Sequence, residues 1–380
     1  MVYKINDNII SGLGFSTEKN YNAVKNEISG LKKINNLFNL DGIFCVAEVD
    51  TNKLNYEFEK ISNKPENFTK LEKMAILSVY NALITTNIDP AKEDVLFIFS
   101  TTKGNIDLLE KNNIFENDRI YLWKTAKIIS EFFANKNEAL VVSNACISGI
   151  SAQITAYRNL VSKRFKYVIV VGADILSKFT VSGFNSFKAL STEICKPFDS
   201  DRCGLNIGET ACTIIYGYTE NQNELPKNTI VLENFGICND ANHISGPSRT
   251  AEGLNIAIQN TIQNIDIQQI SFINTHGTAT PYNDNMEAIA ISRNNLNNIP
   301  LNSLKAYYGH TLGAAGILET IISAYALSDN KILVSKGFEN LGVEAIVNVN
   351  KKLQSSEKPY FLKLISGFGG TNAAALFRKT

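Results

Sequence analysis

A chain of 380 residues with 37 basic and 37 acidic side chains is long enough to bury a large core in one domain or two tightly packed halves. The neutral balance argues against nucleic acid as the main partner, because phosphate binding leaves a basic signature. No apolar run approaches the roughly 20 residues of a membrane span.

The first residues, MVYKINDNII, carry no signal-peptide segment, and six cysteines without a CxxC pair suit reduced thiols. These features predict a cytoplasmic protein. Helical spacing comes first over 70–87, then an apolar strand run at 95–100. A helix over 124–135, a strand over 139–145, a helix over 147–163 and a strand over 167–174 follow. Polar 219–228 separates a first half, 1–222, from a second, 228–380. The second half continues with strands at 230–236, 270–277 and 360–368, and helices over 251–264, 284–294 and 313–328. Continuous apolar strands alternating with helices predict an α/β protein whose sheets are covered on both faces.

The halves echo each other. Cys146 and His310 are 164 residues apart, as are Gly149 and Gly313, each pair lying between a strand and a helix. Duplication would relate the halves by a pseudo-twofold axis and set Cys146 against His310. A thiol at a helix N-terminus meets the positive end of the macrodipole, which favours thiolate and lowers the pKa from about 8.5. The alternative is a small buried hydrophobe. His276, followed by Thr278 and Thr280, occupies a polar turn after a strand, and His310 follows Lys305. Zinc on one cysteine and two histidines is a weaker alternative, since no short paired-ligand spacing supports it. His243 reads as structural or at a channel mouth, and 196–209 as a structured turn. Segment 364–374 lacks phosphate-loop spacing and reads as a mobile loop offering backbone N–H groups.

These segments together resemble the beta-ketoacyl synthases, the condensing enzymes of the thiolase fold. NACISG looks like the nucleophile motif and KPFDSDRCGLNIGE like the PFDxDRxG segment. NTHGTATPYNDNME and KAYYGHTLGAAG are similar to the two histidine motifs, SGFGGTNA to the C-terminal glycine loop, and IISGLGF to the first strand. The resemblance implies a five-layered αβαβα fold of two duplicated halves. It also implies the elongating branch, because the initiating branch has asparagine where His310 stands and thiolases carry a late second cysteine.

By matching position, Cys146 would accept an acyl chain from the phosphopantetheine of an acyl carrier protein. His276 and His310 would hold the malonyl thioester and stabilise the enolate left by decarboxylation. The N–H groups of Cys146 and Phe368 would form the oxyanion hole, and Phe368 would gate the acyl pocket. Lys305 and Glu287 would form an ion pair orienting the histidines, and Thr278 and Thr280 would contact the pantetheine arm. Ile147 would crowd the acyl pocket. Lys70, Lys73 and Arg202 are positional candidates for docking the acidic carrier protein. No cofactor and no metal are implied, and a dimer with itself or a related subunit is. Leu364-Ile365-Ser366 replaces the family's Asn-Ser-Phe, Asn283 replaces a glycine, and 104–138 is compact. These departures point toward a specialised polyene or polyketide pathway as readily as fatty-acid elongation. A chain-length-factor-type subunit and a non-decarboxylating acyltransferase are the competing readings.

Overall fold

Uninterrupted runs of β-branched and aromatic residues become the inner strands of the computed structural model, which describes residues 1–110 and 113–380. The first half contributes β1 (Val2–Ser11), α1 (Lys70–Leu83), β2 (Val95–Ser100), α2 (Leu122–Phe132) and β3 (Leu140–Val142). It continues through α3 (Ser148–Val161), β4 (Tyr167–Asp174), α4 (Lys178–Ser186) and β5 (Thr210–Tyr218). The second half contributes β6 (Ile230–Asn239), α5 (Glu252–Ile262), β7 (Ile270–Asn274), α6 (Pro281–Arg293) and β8 (Leu301–Asn302). Then come α7 (Lys305–Tyr308), α8 (Ala315–Ser328), β9 (Tyr360–Gly367) and β10 (Thr371–Lys379). Several boundaries fall short of or beyond expectation for local reasons. The Thr69–Glu72 capping box starts α1 where expected, but the helix stops at Leu83, before Thr85 and Thr86. Pro281 at the first turn starts α6 three residues before the expected 284.

The strands run in the order β8-β7-β9-β10-β6-β1-β5-β4-β2-β3. In the first half β2 lies parallel to β3 and β4, then β4, β5 and β1 pair antiparallel in turn. The second half repeats this pattern: β7 is parallel to β8 and β9, then β9, β10 and β6 pair antiparallel. The two sets meet where Val2 and Tyr3 of β1 pair with Leu232 and Val231 of β6.

Alternation along the strands builds the layers. Val168 and Val170 of β4 face a central core, whereas Ile169 and Val171 face a separate core under α1 and α2. Phe361 and Ile365 of β9 reach the same central core, whereas Leu362 and Leu364 face a third core under α5 and α6. Helices α3 and α8 fill the middle, giving helix, sheet, helix, sheet, helix. Their crossing needs glycine on both sides. A Cβ on Gly149 would lie 2.8 Å from the Ile317 nitrogen, and one on Gly316 would lie 2.7 Å from the Ile150 nitrogen. Both helices have 14 residues, so Gly149 corresponds to Gly316 rather than Gly313. The one-turn helix Leu312–Ala314 ahead of α8 causes the three-residue slip.

Candidate active site

Strand β3 ends early, and Ser143–Ile147 carries the chain into α3. Ser148 Oγ donates to the Ala145 carbonyl at 2.6 Å and accepts from the Asn144 N–H at 2.7 Å. This tight turn puts Ala145 at φ 45°, a left-handed conformation costing a non-glycine residue about 1–2 kcal/mol. It aims Cys146 at the second half. On that side the His310 backbone is tied to the first half: its N–H donates to the Asn206 carbonyl and its carbonyl accepts from the Gly208 N–H. Gly309, at φ 68°, permits the approach, since a Cβ there would lie 2.6 Å from the Ile207 carbonyl carbon.

Cys146 Sγ lies 2.9 Å from His310 Nε2. The His276 and His310 rings stand 5.0 Å apart at 80°. The structure thus brings all three expected reacting groups together, and all three are buried. The Leu312 N–H donates to His310 Nδ1 at 3.3 Å, so that nitrogen is the acceptor and Nε2 carries the proton toward the sulfur. Burial, then Lys305, holds both imidazoles well below their ordinary pKa, which keeps them neutral donors. The thiol departs from expectation. Burial pushes its pKa up to about 11, against opposing pulls from Lys305, Lys103 and the Phe368 N–H. Cys146 precedes the Ile147 cap of α3, and the helix end does not overcome desolvation.

The three donor atoms all lie within 4.8 Å of one another, the one such cluster among the described residues. The buried ammonium groups of Lys305 and Lys363 beside them oppose a dication, so the geometry favours thiol–imidazole chemistry.

Glu287 does not pair with Lys305. It accepts from the N–H groups of His276 and Gly277, both at 2.7 Å, and so fixes the first histidine through its backbone. Burial, then Asp284, pushes Glu287 up to about 7. Asn283, where a glycine was expected, donates to Glu287 at 2.9 Å and to Asp284 at 3.1 Å. The partner of Lys305 is Glu319 of α8. Asp174 of β4 also escaped sequence reading: buried, it accepts from the Thr102 and Gly313 N–H groups and braces one half against the other.

A cavity of about 450 Å³ opens onto these groups and is lined by Thr278, Thr280, His243 and Phe368, among others. Phe368 stacks on Phe184 at 5.8 Å and meets Phe187 edge-on at 5.7 Å. Its loop comes close to the nucleophile: a Cβ on Gly367 would lie 2.9 Å from the Cys146 nitrogen. Ile147 does not line the cavity. It is fully buried in the central core. The docking candidates are held within the chain as well. Lys70 pairs with buried Glu209, Lys73 bonds Asn55, and Arg202 donates to the carbonyls of Asp199 and Gly342.

The family model described as "Beta-ketoacyl synthase, N-terminal domain" matches residues 43–217, and "Beta-ketoacyl synthase, C-terminal domain" matches 230–339. The 3-oxoacyl-[acyl-carrier-protein] synthase 2 of Vibrio cholerae serotype O1 is 30% identical over 258 residues, 63% of this chain and 62% of its own length. The namesake from Rhizobium meliloti is 30% identical over 63% of this chain and 60% of its own. Among solved structures, a chain from a ketosynthase in complex with its chain length factor from Xenorhabdus doucetiae has TM-score 0.88. It is 23% identical, covering 100% of this chain and 98% of that one. A beta-ketoacyl synthase from Burkholderia phymatum has TM-score 0.86 and 22% identity, with 100% and 99% covered.

Proposed function

The chain belongs to the beta-ketoacyl synthase family, and from that premise we propose that it is a decarboxylating 3-oxoacyl-[acyl-carrier-protein] synthase. The observation carrying this reading is the buried Cys146 Sγ, 2.9 Å from a neutral His310 and open to a cavity that also holds His276.

In the first half-reaction the sulfur attacks the acyl thioester carbonyl. The thiol proton passes to the departing carrier thiolate, and the acyl group stays on Cys146. The N–H groups of Cys146 and Phe368 face the oxyanion. In the second, the malonyl thioester oxygen accepts hydrogen bonds from His310 Nε2–H and from the ring N–H of His276. Carbon dioxide leaves, and the bonding electrons become an enolate that those donors stabilise. The enolate carbon attacks the Cys146 thioester, and the cysteine thiolate departs and regains a proton. Neutral imidazoles suit this role better than a general base, since each donates to an oxygen whose charge rises in the transition state. Thr278 and Thr280 line the cavity and would border the pantetheine arm, which the substrates would bring with them.

The carrier protein would approach the cavity mouth, where Lys188 is exposed. A partner subunit, identical or related, would cover β3, the edge strand on the side of the first half. Leu140 on that edge, and Tyr121 and Trp123 at the start of α2, are exposed. The test is carbon dioxide release from malonyl carrier protein, with and without an acyl donor, together with the mass of the carrier-bound product. Release with a 3-oxoacyl product supports the synthase. Acyl exchange without release would make the chain a non-decarboxylating transferase, and neither would leave a non-catalytic partner subunit.

A further inference from the structure

Strand β9 reads YFLKLISG, and its single charged residue, Lys363, is fully buried in the middle. Its Nζ lies 2.7 Å from Glu319 Oε2 and donates to the Leu364 carbonyl at 2.8 Å and the Thr275 carbonyl at 3.4 Å. Lys305 takes the other oxygen of the same carboxylate. Two ammonium groups therefore share one anion, a triad with a net positive charge that is buried from the surface. A methionine would fill such a site without desolvating a charge, and replacing buried charges by apolar groups is often neutral or stabilising. The charge thus calls for another use, and its place suggests one. Thr275 immediately precedes His276, and Lys305 begins the helix that leads to His310.

Resting on the synthase reading above, we propose that Lys363 is a positioning residue whose ammonium, with Lys305, sets a positive field behind His276 and His310 that polarises the two neutral imidazoles as hydrogen-bond donors to the enolate. The groups around it are Glu319 from α8, Lys305 from α7, Glu287 from α6, and the two histidines. Lys305 and Lys363 both depress the two imidazoles. Lys363 itself is pushed down to about 8, chiefly by burial, so its charge fades as the medium turns alkaline. Lys363 forms no covalent bond and keeps its protons during the reaction.

The test compares wild type, Lys363→Met and Lys363→Arg. Lys363→Met should load Cys146 with acyl groups at a rate within about twofold of wild type, while kcat for decarboxylation falls about 10- to 100-fold at similar KM. The wild-type rate should decline above about pH 8. That decline should be absent in Lys363→Met, and Lys363→Arg should recover most of the activity without it. A readout independent of turnover is NMR titration of labelled histidines. Without the Lys363 charge, His276 and His310 should titrate at higher pH. Unmoved histidines, an alkaline decline surviving in Lys363→Met, or no rescue by arginine would overturn the proposal. Absence of decarboxylation in the wild type would instead overturn the synthase reading, leaving the histidine titration to decide the role of Lys363.

Discussion

The crossing of α3 and α8 sets the distance between nucleophile and histidine, and Gly149→Ala tests that directly. The new Cβ would sit 2.8 Å from the Ile317 nitrogen and 3.0 Å from the Gly316 nitrogen and Cα, where ordinary contact begins at 3.4 Å. All three atoms are backbone, so the helices must part by about 0.4–0.6 Å, overpacking of the kind that costs about 1–3 kcal/mol. Unfolding 380 residues carries an entropy of about 0.8 kcal/mol/K, so melting should fall by about 1–4 °C. Cys146 lies three residues before the crossing, so its 2.9 Å contact with His310 should stretch and acylation should slow. Differential scanning fluorimetry and intact-mass acylation kinetics read both effects. Gly183→Ala is the control, because a Cβ there meets nothing within 4 Å. If Gly149→Ala melts and acylates like wild type, the glycine crossing does not set the site.

His276→Ala should lose about 10²–10³-fold in decarboxylation, the scale for removing one oxyanion donor, while acylation of Cys146 survives; equal loss of both would refute the division of labour. With the thiol at about 11, its thiolate fraction falls tenfold per pH unit below that value. Iodoacetamide labelling of Cys146 should therefore keep rising from neutral to strongly alkaline pH, and a plateau near neutrality would contradict the burial argument. Glu319→Gln leaves Lys305 and Lys363 without their shared carboxylate, at a cost of about 3–5 kcal/mol in urea unfolding; an unchanged midpoint would show that the triad is not what holds α8 to β9.

Cys146 and His276 were legible because each follows a strand that gives out into a small-residue turn, and His310 because it stands in the glycine-flanked run GHTLGAAG; such local patterns survive without knowledge of packing. The Lys305 partner was not. Glu287 and Glu319 both carry the right charge, and only the placement of α8 against α7 and β9 chooses between them. A lone acid in AAGILETIISAYALS and a lone base in YFLKLISG were the available signals, since apolar buried elements rarely admit an unpaired charge. The thiol was misjudged because a helix end is visible in sequence whereas burial is not. The repeat offset slipped by three because the one-turn helix before α8 looks like the helix itself. Ile147 was assigned to the pocket by adjacency, but the turn at Ala145 swings it into the core.

The proposed chemistry requires the sulfur of Cys146, and no other, to carry the acyl group. Cys203 is exposed and lines the same cavity, so it is the natural rival. Peptide mapping of the protein after brief exposure to a carrier protein loaded with an acyl thioester should place the adduct on Cys146 and leave Cys203 free. An adduct on Cys203, or one that persists in Cys146→Ala, would contradict it.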